Sequence, residues 1–407
     1  MNIKNYFLNM PSSKKRWLII SGIILAALNL RASIASVGPV ITFIRNEMGI
    51  SNGTAGMLTT LPLIAFAAIS PLAPKLGLKM GHSRAMFFGM LLLTIGIVIR
   101  STGILINLFL GTALLGVGIA FCNVLLPGIV KEYFPDKTGL MTGGYTLSMG
   151  LSAGIASGVS YPIATFSNWK FSLSIWAVLS FIAVLCWLFQ LFNKDHSVKF
   201  VKQPSKGMIY KSPIAWKVTL FMGIQSLLFF CMVAWLPEII TSLGYSKSVG
   251  GWMLSLVQIL GLPTMFLIPI IADRFKDQRG IVLFIGIIDL IGFSLLLAGG
   301  NIFFITIGII CFGAGQGAAI SLSLTLITLR TANVQEASNL SGMAQSIGYL
   351  MAAIGPFLMG IIFDLYHSWT IPLTICLILT CLMVMAGLGA SQNQYIFSKK
   401  LDGTTVN

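Results

Sequence analysis

Twelve apolar stretches, each about as long as a membrane-spanning helix, follow one another along this chain of 407 residues. A helix needs about 20 apolar residues to cross the hydrocarbon core of a bilayer. Hydrophobic residues make up 56% of the chain and charged residues only 9%, whereas soluble domains carry about 25% charged residues. The stretches contain many glycines and lack the alternation of barrel strands, so the sequence predicts an all-α membrane protein with twelve transmembrane helices. They cover residues 17–41, 52–74, 83–100, 104–130, 139–163, 171–192, 214–241, 250–272, 280–299, 302–329, 339–363 and 370–391.

Lysine and arginine are distributed unevenly over the loops. With the N-terminus placed in the cytoplasm, 21 of the 26 basic residues fall on the inner side. Arg45, Arg100, Lys170 and Lys247 fall outside, and Arg31 lies within the first stretch. Cytoplasmic loops carry such an excess of positive charge, so we expect a multi-pass protein of the cell membrane with both termini in the cytoplasm. The net charge of +15 thus indicates topology, and no nucleic-acid partner is expected.

The second half of the chain repeats features of the first at an offset of 195–198 residues. Pro39 corresponds to Pro237, and Pro71 corresponds to Pro269. Parallel six-span repeats are typical of one large class of secondary transporters, whose solute site lies near the membrane midplane. The sequence therefore predicts two pseudo-symmetric six-helix bundles joined by a basic cytoplasmic linker. The bundles and the linker are expected at residues 1–192, 214–407 and 193–213.

Residue types that carry enzyme chemistry are sparse and scattered. The six cysteines all lie in apolar stretches without a Cys-x-x-Cys pair, and the three histidines lie far apart. Buried cysteines of this kind behave as small hydrophobic residues, and no metal-ligand spacing is present. No nucleophile motif or phosphate-binding loop stands out. We therefore expect no enzyme, no cofactor and no metal site.

Short motifs in both halves resemble a known transporter family. The loop after the second span, PKLGLKMGHSR, keeps Gly81 and Arg84 of the major facilitator signature but lacks its Asp-Arg pair, whereas the second-half loop IADRFKDQR contains Asp273 and Arg274. A narrower resemblance, to the branch of the major facilitator superfamily that holds the cyanate permease and the 2-nitroimidazole transporter, rests on five segments. These are NLRASIASVGP (29–39), GIAFCNVLLPGIVKEYFPD (118–136), GLMTG (139–143), QSLLFFCMVAWLP (225–237) and LSGMAQSIGYLMAAIGP (340–356).

The resemblance implies that spans 1, 4, 7 and 10 line a central cavity and that spans 3, 6, 9 and 12 lie at the periphery. On this basis Arg31 in the first span is the leading candidate for solute binding. A charge inside a membrane is expensive, roughly 2.5–3.5 kcal/mol even on lenient scales, and a guanidinium can hold an oxyanion through two hydrogen bonds. A structural arginine bonded to carbonyls or to a distant acid is the alternative. Asn29 lies on another face of the same helix and is expected to pack against a neighbouring helix.

Further polar and aromatic residues are candidates to complete the solute site. An amide inside a membrane needs partners, and these are either the solute or a neighbouring helix. The tyrosines and the tryptophan are equally open to a packing role. The candidates are Asn123, Gln225, Gln316, Trp235, Tyr145, Gln345 and Tyr349.

Three carboxylates invite functional interpretation. Asp289 is the only acid deep within a span, so it is the candidate for proton coupling, with a structural pairing as the alternative. Glu238 near the end of the seventh span can pair with a basic residue or face water. Asp273 and Arg274 are predicted to form an inner gate by electrostatic pairing.

Gly150, Gly154 and Gly158 repeat at four-residue spacing in the fifth span. Such spacing lets helix backbones approach closely. The sequence predicts tight packing here, either static or sliding during transport.

These features together predict a secondary active transporter, expected to be monomeric, that moves a small polar or anionic solute by alternating access. A proton-coupled efflux pump for small aromatic or nitro-heterocyclic compounds is the alternative within transport. A solute sensor that does not transport is a third possibility, although the linker of about 20 residues leaves little chain for a soluble output domain. A channel is disfavoured because the halves differ and no filter sequence repeats.

Overall fold

The structure, a computed structural model, describes residues 12–50, 52–191 and 209–397. All regular secondary structure in these ranges is helical. Residues 193–208 of the predicted linker lie outside the described residues. The α-helices are α1 Ser12–Ala35, α2 Ile41–Met48, α3 Asn52–Ile69, α4 Ala73–Met80, α5 His82–Arg100, α6 Leu105–Tyr133, α7 Thr138–Phe166, α8 Trp169–Ser174, α9 Trp176–Gln190, α10 Pro213–Ser242, α11 Lys247–Arg274, α12 Arg279–Ala298, α13 Ile302–Leu329, α14 Val334–Tyr366 and α15 Thr370–Ala390.

Each of the twelve predicted stretches is helical over most of its described residues. Within the described residues, ten helical segments are long and apolar enough to cross a membrane, and the bent pair α3–α4 raises the number to eleven. The remaining stretch is α7, which has 29 residues but a high content of glycine, serine and threonine that lowers its mean hydropathy. The chain is therefore a multi-pass α-helical membrane protein, as the sequence predicts.

Proline and glycine interrupt the first two spans. α1 ends at Ala35, and Pro39 lies in a single 3-10 turn before α2. Proline has no N–H to donate and restricts the residue before it, so helices break at such positions. Gly49 follows α2 as its C-cap, and its φ of 63° suits a residue without a Cβ. In the second span Pro71 separates α3 from α4, which meet at 58°.

Polar side chains cap four long helices of the second half. Ser212, Ser246, Asn301 and Asn333 each accept a hydrogen bond from a backbone N–H in the first turn of α10, α11, α13 and α14, respectively. Each bond satisfies one of the donors that a helix start leaves without an intrahelical partner. At α14 the Asn333 amide also donates to Glu336 Oε1 at 2.8 Å. These caps fix where the helices begin.

The described chain clusters into two compact units. The first contains residues up to 126 and residues 144–191, and the second contains residues 127–143 and 209–397. The end of α6 and the start of α7 thus cluster with the second unit, although most of each helix belongs to the first. The predicted division into bundles at the linker would keep both helices whole in the first bundle, and it stays a prediction.

Glycines bring helix backbones close together in both units. In the first unit, a Cβ at Gly96 on α5 would lie 2.7 Å from the carbonyl oxygen of Gly111 on α6. In the second unit, a Cβ at Gly292 on α12 would lie 2.9 Å from the carbonyl oxygen of Gly308 on α13. Small residues allow this approach between membrane helices.

The predicted tight packing along the glycine stripe of α7 is wrong at two of its positions. A Cβ at Gly154 or at Gly158 would meet no heavy atom of the described residues within 4 Å. Both glycines are exposed. The spacing of the glycines fixes only that they share a helix face, and here that face is open.

Candidate functional site

Arg31 lies on the least packed side of α1. It shares a partly exposed stripe with Ile24, Leu28 and Ala35, at the spacing of one helix face. Its guanidinium makes no hydrogen bond or ion pair with the described residues. A guanidinium offers five N–H donors and no acceptor, so the group is suited to bind an anion at this surface.

α7 runs alongside the stripe that carries Arg31. Ile24 lies 3.8 Å from the Cβ position of Gly144, and the Ser157 hydroxyl donates to the carbonyl oxygen of Ala35 at 3.4 Å. Between these two contacts α7 carries Gly154, which leaves open space. The guanidinium therefore borders an uncrowded surface of the first unit.

The opposite side of α1 is packed. The amide of Asn29 is fully buried and donates to the carbonyl oxygens of Leu25 at 2.8 Å and of Leu179 on α9 at 3.3 Å. This contact with a neighbouring helix confirms the role expected for Asn29. Asn29 and Arg31 thus point to different surroundings although only one residue separates them.

Arg100 is a second cation near α1, and unlike Arg31 it is buried. The sequence assigns it to an outer loop, but its side chain is 1% exposed at the end of α5. Its Nη1 donates to the carbonyl oxygen of Ser33 at 2.7 Å, and its Nη2 donates to the Ser36 hydroxyl at 3.5 Å. These groups lie where α1 ends, so Arg100 satisfies one of the carbonyls that the helix break leaves open and complements the negative end of the helix dipole.

Asn123 on α6 and Tyr145 on α7 are both buried in the first unit, at 4% and 1% exposure. Both interact with neighbouring residues. Neither side chain lies on the partly exposed stripe that carries Arg31. The structure thus does not bring these two candidates together with Arg31 on one open surface of the first unit.

In the second unit, three predicted residues lie in one buried polar chain. Gln316 Nε2 on α13 donates to Asp289 Oδ2 on α12 at 2.9 Å. Gln225 Nε2 on α10 donates to Gln316 Oε1 at 3.4 Å, and the Ser226 hydroxyl donates to Gln225 Oε1 at 3.2 Å. All four residues are at most 3% exposed. The structure therefore links the candidate for proton coupling to two candidates for solute binding.

All three hydrogen bonds of this chain point toward the carboxylate. Each amide donates toward Asp289 and accepts from the next residue along the chain, an arrangement in which successive bonds polarise and strengthen one another. The other carboxylate oxygen, Oδ1, accepts no hydrogen bond from the described residues. It lies against Gly315, where an added Cβ would collide with it. The chain thus has one charged end, at Asp289, and one hydroxyl end, at Ser226.

Trp235 packs within the second unit. Its indole N–H donates to the carbonyl oxygen of Pro356 at 2.8 Å, and its ring lies against Gly360 on α14. The ring centroid is 5.4 Å from that of Trp369, which stacks on Phe363 at 4.3 Å. These contacts join α10, α14 and the start of α15.

Gln345 and Tyr349 are one turn apart on α14 and are 1% and 3% exposed. Gln345 Nε2 donates to the Ser341 hydroxyl at 2.7 Å on the same helix. The structure thus brings these two candidates together on one buried face of α14.

Asp273, at the end of α11, binds the start of another helix. Its carboxylate accepts from the Thr138 hydroxyl at 2.8 Å and from the Gly139 N–H at 3.0 Å. These donors belong to the first turn of α7, where a negative charge is favourable. Asp273 and Arg274 form no ion pair with each other in the described chain. The electrostatic partner of Asp273 is thus a helix N-terminus instead of its neighbour in sequence.

Two basic residues bind helix C-termini in the second unit. Lys131 Nζ donates to the carbonyl oxygens of Thr328 at 2.8 Å and Thr331 at 2.7 Å, at the end of α13. Arg330, just beyond α13, donates to the carbonyl oxygens of Ala390 and Ser391 at the end of α15. Burial lowers the pKa of Arg330 to about 10, so its guanidinium remains protonated at neutral pH.

The six cysteines lie at different places along the spans, and within the described residues no disulfide joins any two of them. Within the same residues, no group of three or more His, Cys, Asp or Glu side chains could hold a metal ion. The polar groups described above that could meet a ligand are amides, hydroxyls, the carboxyl group of Asp289 and the guanidinium of Arg31.

Sequence reasoning missed Arg100 and Lys131 as structural cations. Each lies at the end of an apolar stretch, next to a loop, where a basic residue is usually assigned to the membrane surface. The available signal is that a basic residue near a helix break can serve carbonyls instead of water. The partner carbonyls lie 67 and about 200 residues away in sequence, so the sequence alone does not identify them.

Comparison with known proteins gives a consistent result. Residues 23–356 match the sequence profile of the Major Facilitator Superfamily. The chain is 49% identical over 394 residues to the uncharacterized transporter YycB of Bacillus subtilis, a match that covers 96% of this chain and 98% of that protein. It is 39% identical over 391 residues to the 2-nitroimidazole transporter of Escherichia coli, with 95% and 98% of the two chains covered.

More distant similarity is also present. The cyanate transport protein CynX of Escherichia coli is 25% identical over 342 residues, which cover 84% of this chain and 88% of CynX. The solved structure of the proton:xylose symporter XylE has a TM-score of 0.79, 12% sequence identity, and coverage of 95% of this chain and 98% of XylE. At that identity the likeness shows the fold alone.

Proposed function

Because the chain belongs to the major facilitator superfamily, we propose that it carries a small polar or anionic solute across the cell membrane by alternating access. Transport as such follows from the family. The solute class is the proposal, and its main support is Arg31, a partly exposed guanidinium without a partner among the described residues. The similarity to a cyanate transport protein agrees with an anionic solute.

In this proposal Arg31 attracts the solute and holds it through charge-assisted hydrogen bonds. A bond of this kind contributes about 1.5–3 kcal/mol, which corresponds to roughly 10- to 150-fold in affinity. Asn123, Tyr145, Gln225 and Gln316 are proposed to complete the pocket as the helices move. The same role is proposed, on weaker support, for Trp235, Gln345 and Tyr349, which already interact with other residues.

The test is uptake of radiolabelled cyanate into proteoliposomes. Arg31→Gln is expected to lower uptake at subsaturating cyanate at least about tenfold, because the neutral amide cannot attract the anion. Arg31→Lys should retain part of the activity, since the charge remains but the planar fork is lost. Lys211→Gln, which removes an exposed cation, is the matched control and should transport as the wild type does. Equal uptake by Arg31→Gln and the wild type would refute the role of Arg31.

A second candidate, export of small aromatic or nitro-heterocyclic compounds, is favoured by the 39% identity to the 2-nitroimidazole transporter. A neutral heterocycle does not need a cation. Export of 2-nitroimidazole that is unaffected in Arg31→Gln, with no flux of cyanate in the wild type, would favour this candidate. Tight binding of either compound without flux would instead favour a sensor.

We also propose an inner gate and an orientation. Asp273 and Arg274 mark the gate, and the observed bonds from Asp273 to the start of α7 and from Lys131 to the end of α13 are suited to hold it closed.

The excess of basic residues in alternate loops supports cytoplasmic termini. A monomer is proposed, with each chain carrying its own solute site. Asp289 is proposed as the group that takes up the coupling proton.

A further inference from the structure

We propose that the hydrogen-bond chain from Ser226 through Gln225 and Gln316 to Asp289 makes this protein a symporter of a proton and an anion. Protonation of Asp289 exchanges donors and acceptors along these hydrogen bonds, which frees the Ser226 hydroxyl to donate to the solute. This inference rests on the proposed function, in which Gln225 and Gln316 belong to the solute site. It adds a coupling mechanism and a direction: proton and anion move the same way. Ser226 is added to the residues that recognise the solute.

The hydrogen-bond chain joins α10, α13 and α12, and every donor in it points toward Asp289. Ser226 donates to Gln225, Gln225 donates to Gln316, and Gln316 donates to Asp289, at 3.2, 3.4 and 2.9 Å. The hydroxyl proton of Ser226 is therefore engaged inside the chain. In this state the hydroxyl end offers lone pairs, which do not bind an anion.

The described helices that pack most closely against α12 supply no fixed charge that would hold the hydrogen-bond chain in one direction. α12 packs against α13 and α15, and neither of those helices contains Lys, Arg, Asp or Glu. Their titratable groups are thiols, at Cys311, Cys376 and Cys381, of which Cys311 interacts electrostatically with Asp289. The other charged residue of α12 is Arg279, at its first position, where it pairs with Asp277. The amide chain is thus the principal polar environment of the carboxyl group.

Protonation changes what Asp289 can do in a hydrogen bond. An ionised carboxylate only accepts, whereas a protonated carboxyl also donates. If Oδ2 donates to Gln316 Oε1, the Gln316 amide turns its N–H groups toward Gln225, and the Gln225 amide turns its N–H groups toward Ser226. Each step exchanges one donor–acceptor pair for another, so the number of hydrogen bonds in the chain is conserved.

In the reversed chain the Ser226 oxygen accepts from Gln225, and its proton becomes free to donate to a solute. Loss of the carboxylate charge also removes a repulsion toward an anion. The anion therefore binds more tightly to the protonated protein. By linkage, the bound anion strengthens proton binding by the same factor. Proton and anion are then carried together, and for a monovalent anion the overall step is electroneutral.

The experiment measures accumulation of radiolabelled cyanate in proteoliposomes under an inward proton gradient. One proton per anion allows accumulation up to about tenfold for a gradient of about one pH unit. The wild type is expected to accumulate cyanate, and an imposed membrane potential should leave the level unchanged. Asp289→Asn keeps the size of the side chain and an acceptor oxygen but cannot titrate, so its accumulation ratio should fall to about one while cyanate exchange without a gradient persists. Asp364→Asn, which neutralises an exposed carboxylate, is the control and should accumulate as the wild type does.

A second variant tests the chain itself and covers the case in which Asp289→Asn does not fold. Gln316→Met keeps the carboxyl group and the side-chain length but interrupts the chain. Because Gln316 also belongs to the proposed solute site, cyanate exchange should be slower than in the wild type. The accumulation ratio should fall to about one, because the proton no longer affects Ser226. A wild-type accumulation ratio in either variant overturns the coupling through Asp289 and leaves the proposed solute class intact. Failure of the wild type to exchange cyanate at all overturns the proposed solute class instead.

Discussion

The two units pack their helices through the same glycines but place different side chains beside them. Gly96 and Gly111 in the first unit correspond to Gly292 and Gly308 in the second, at offsets of 196 and 197 residues. Each pair brings two helix backbones into close contact. The backbone arrangement at these contacts is therefore common to both halves of the chain.

The two halves of the chain differ in their side chains at the next contact along these helices. In the first unit Gly118 lies against Leu93, and at the same offsets in the second unit Gly315 lies against Asp289. Leu93 and Asp289 are both fully buried. Likewise Ile119 on α6 corresponds to Gln316 on α13. One repeat thus has an apolar contact where the other has a carboxyl–amide pair. The glycine contacts therefore determine how the helix backbones pack, while the side chains at adjacent positions differ between the halves.

Adding one methyl group at these contacts is expected to have the largest effect. In Gly118→Ala the Cβ would lie 2.5 Å from the carbonyl oxygen of Gly89 and 2.6 Å from the N of Leu93, so two backbones must separate. We expect a loss of about 3 kcal/mol in the free energy of unfolding, measured by thermal unfolding in detergent. Gly315→Ala meets only side chains and should lose less. Gly154→Ala, in open space, is the control and should gain up to about 1 kcal/mol from helix propensity; a different order of the three variants would contradict the packing account.

Converting the second unit to the pattern of the first should have a moderate effect of opposite sign. The double variant Asp289→Leu/Gln316→Ile installs the apolar pair that occupies the corresponding positions of the first unit. Replacing buried polar groups by apolar ones of similar volume is often stabilising, so we expect a gain of about 1–3 kcal/mol with loss of proton-driven accumulation. Asp289→Leu alone should be less stable than the double variant, because it leaves the Gln316 amide without its acceptor. A double variant that is less stable than the wild type would show that the polar pair contributes to folding.

The smallest effect is expected at Asp273, at the end of α11. Asp273→Asn removes a charge from the N-terminus of α7 but keeps a side-chain acceptor. The expected loss is about 0.3–1 kcal/mol at low ionic strength, and it should shrink as salt screens the interaction. Thermal unfolding at low and high salt measures both values. Asp277→Asn, beside the exposed Arg279, is the control; if it matches Asp273→Asn at each salt concentration, the helix terminus is not what Asp273 stabilises.

The sequence predicts the helices well because the apolar stretches and the prolines act locally. Every stretch is helical over most of its described residues, and the first two spans break at or next to Pro39 and Pro71. Helix periodicity also separates Asn29 from Arg31 correctly, since the face of a residue follows from its position in its own helix. These predictions need no knowledge of any other part of the chain.

The sequence does not predict the partners of polar residues, because those partners are distant. Gln316 lies 27 residues from Asp289 and 91 residues from Gln225. A buried amide signals only that some partner exists. The glycine stripe of α7 fails for the same reason: spacing defines a face but not the neighbour that covers it. The residue types of the candidate site were therefore predictable from the sequence, but the hydrogen bonds that connect them were not.

Arg100 anchors the end of α1 to the end of α5. Its guanidinium, which stays charged at physiological pH, donates to the carbonyl oxygen of Ser33 in the last turn of α1 and to the Ser36 hydroxyl just after it. Arg31 lies two residues before Ser33, so the backbone that carries the proposed anion-binding guanidinium is held by a second guanidinium from a neighbouring helix.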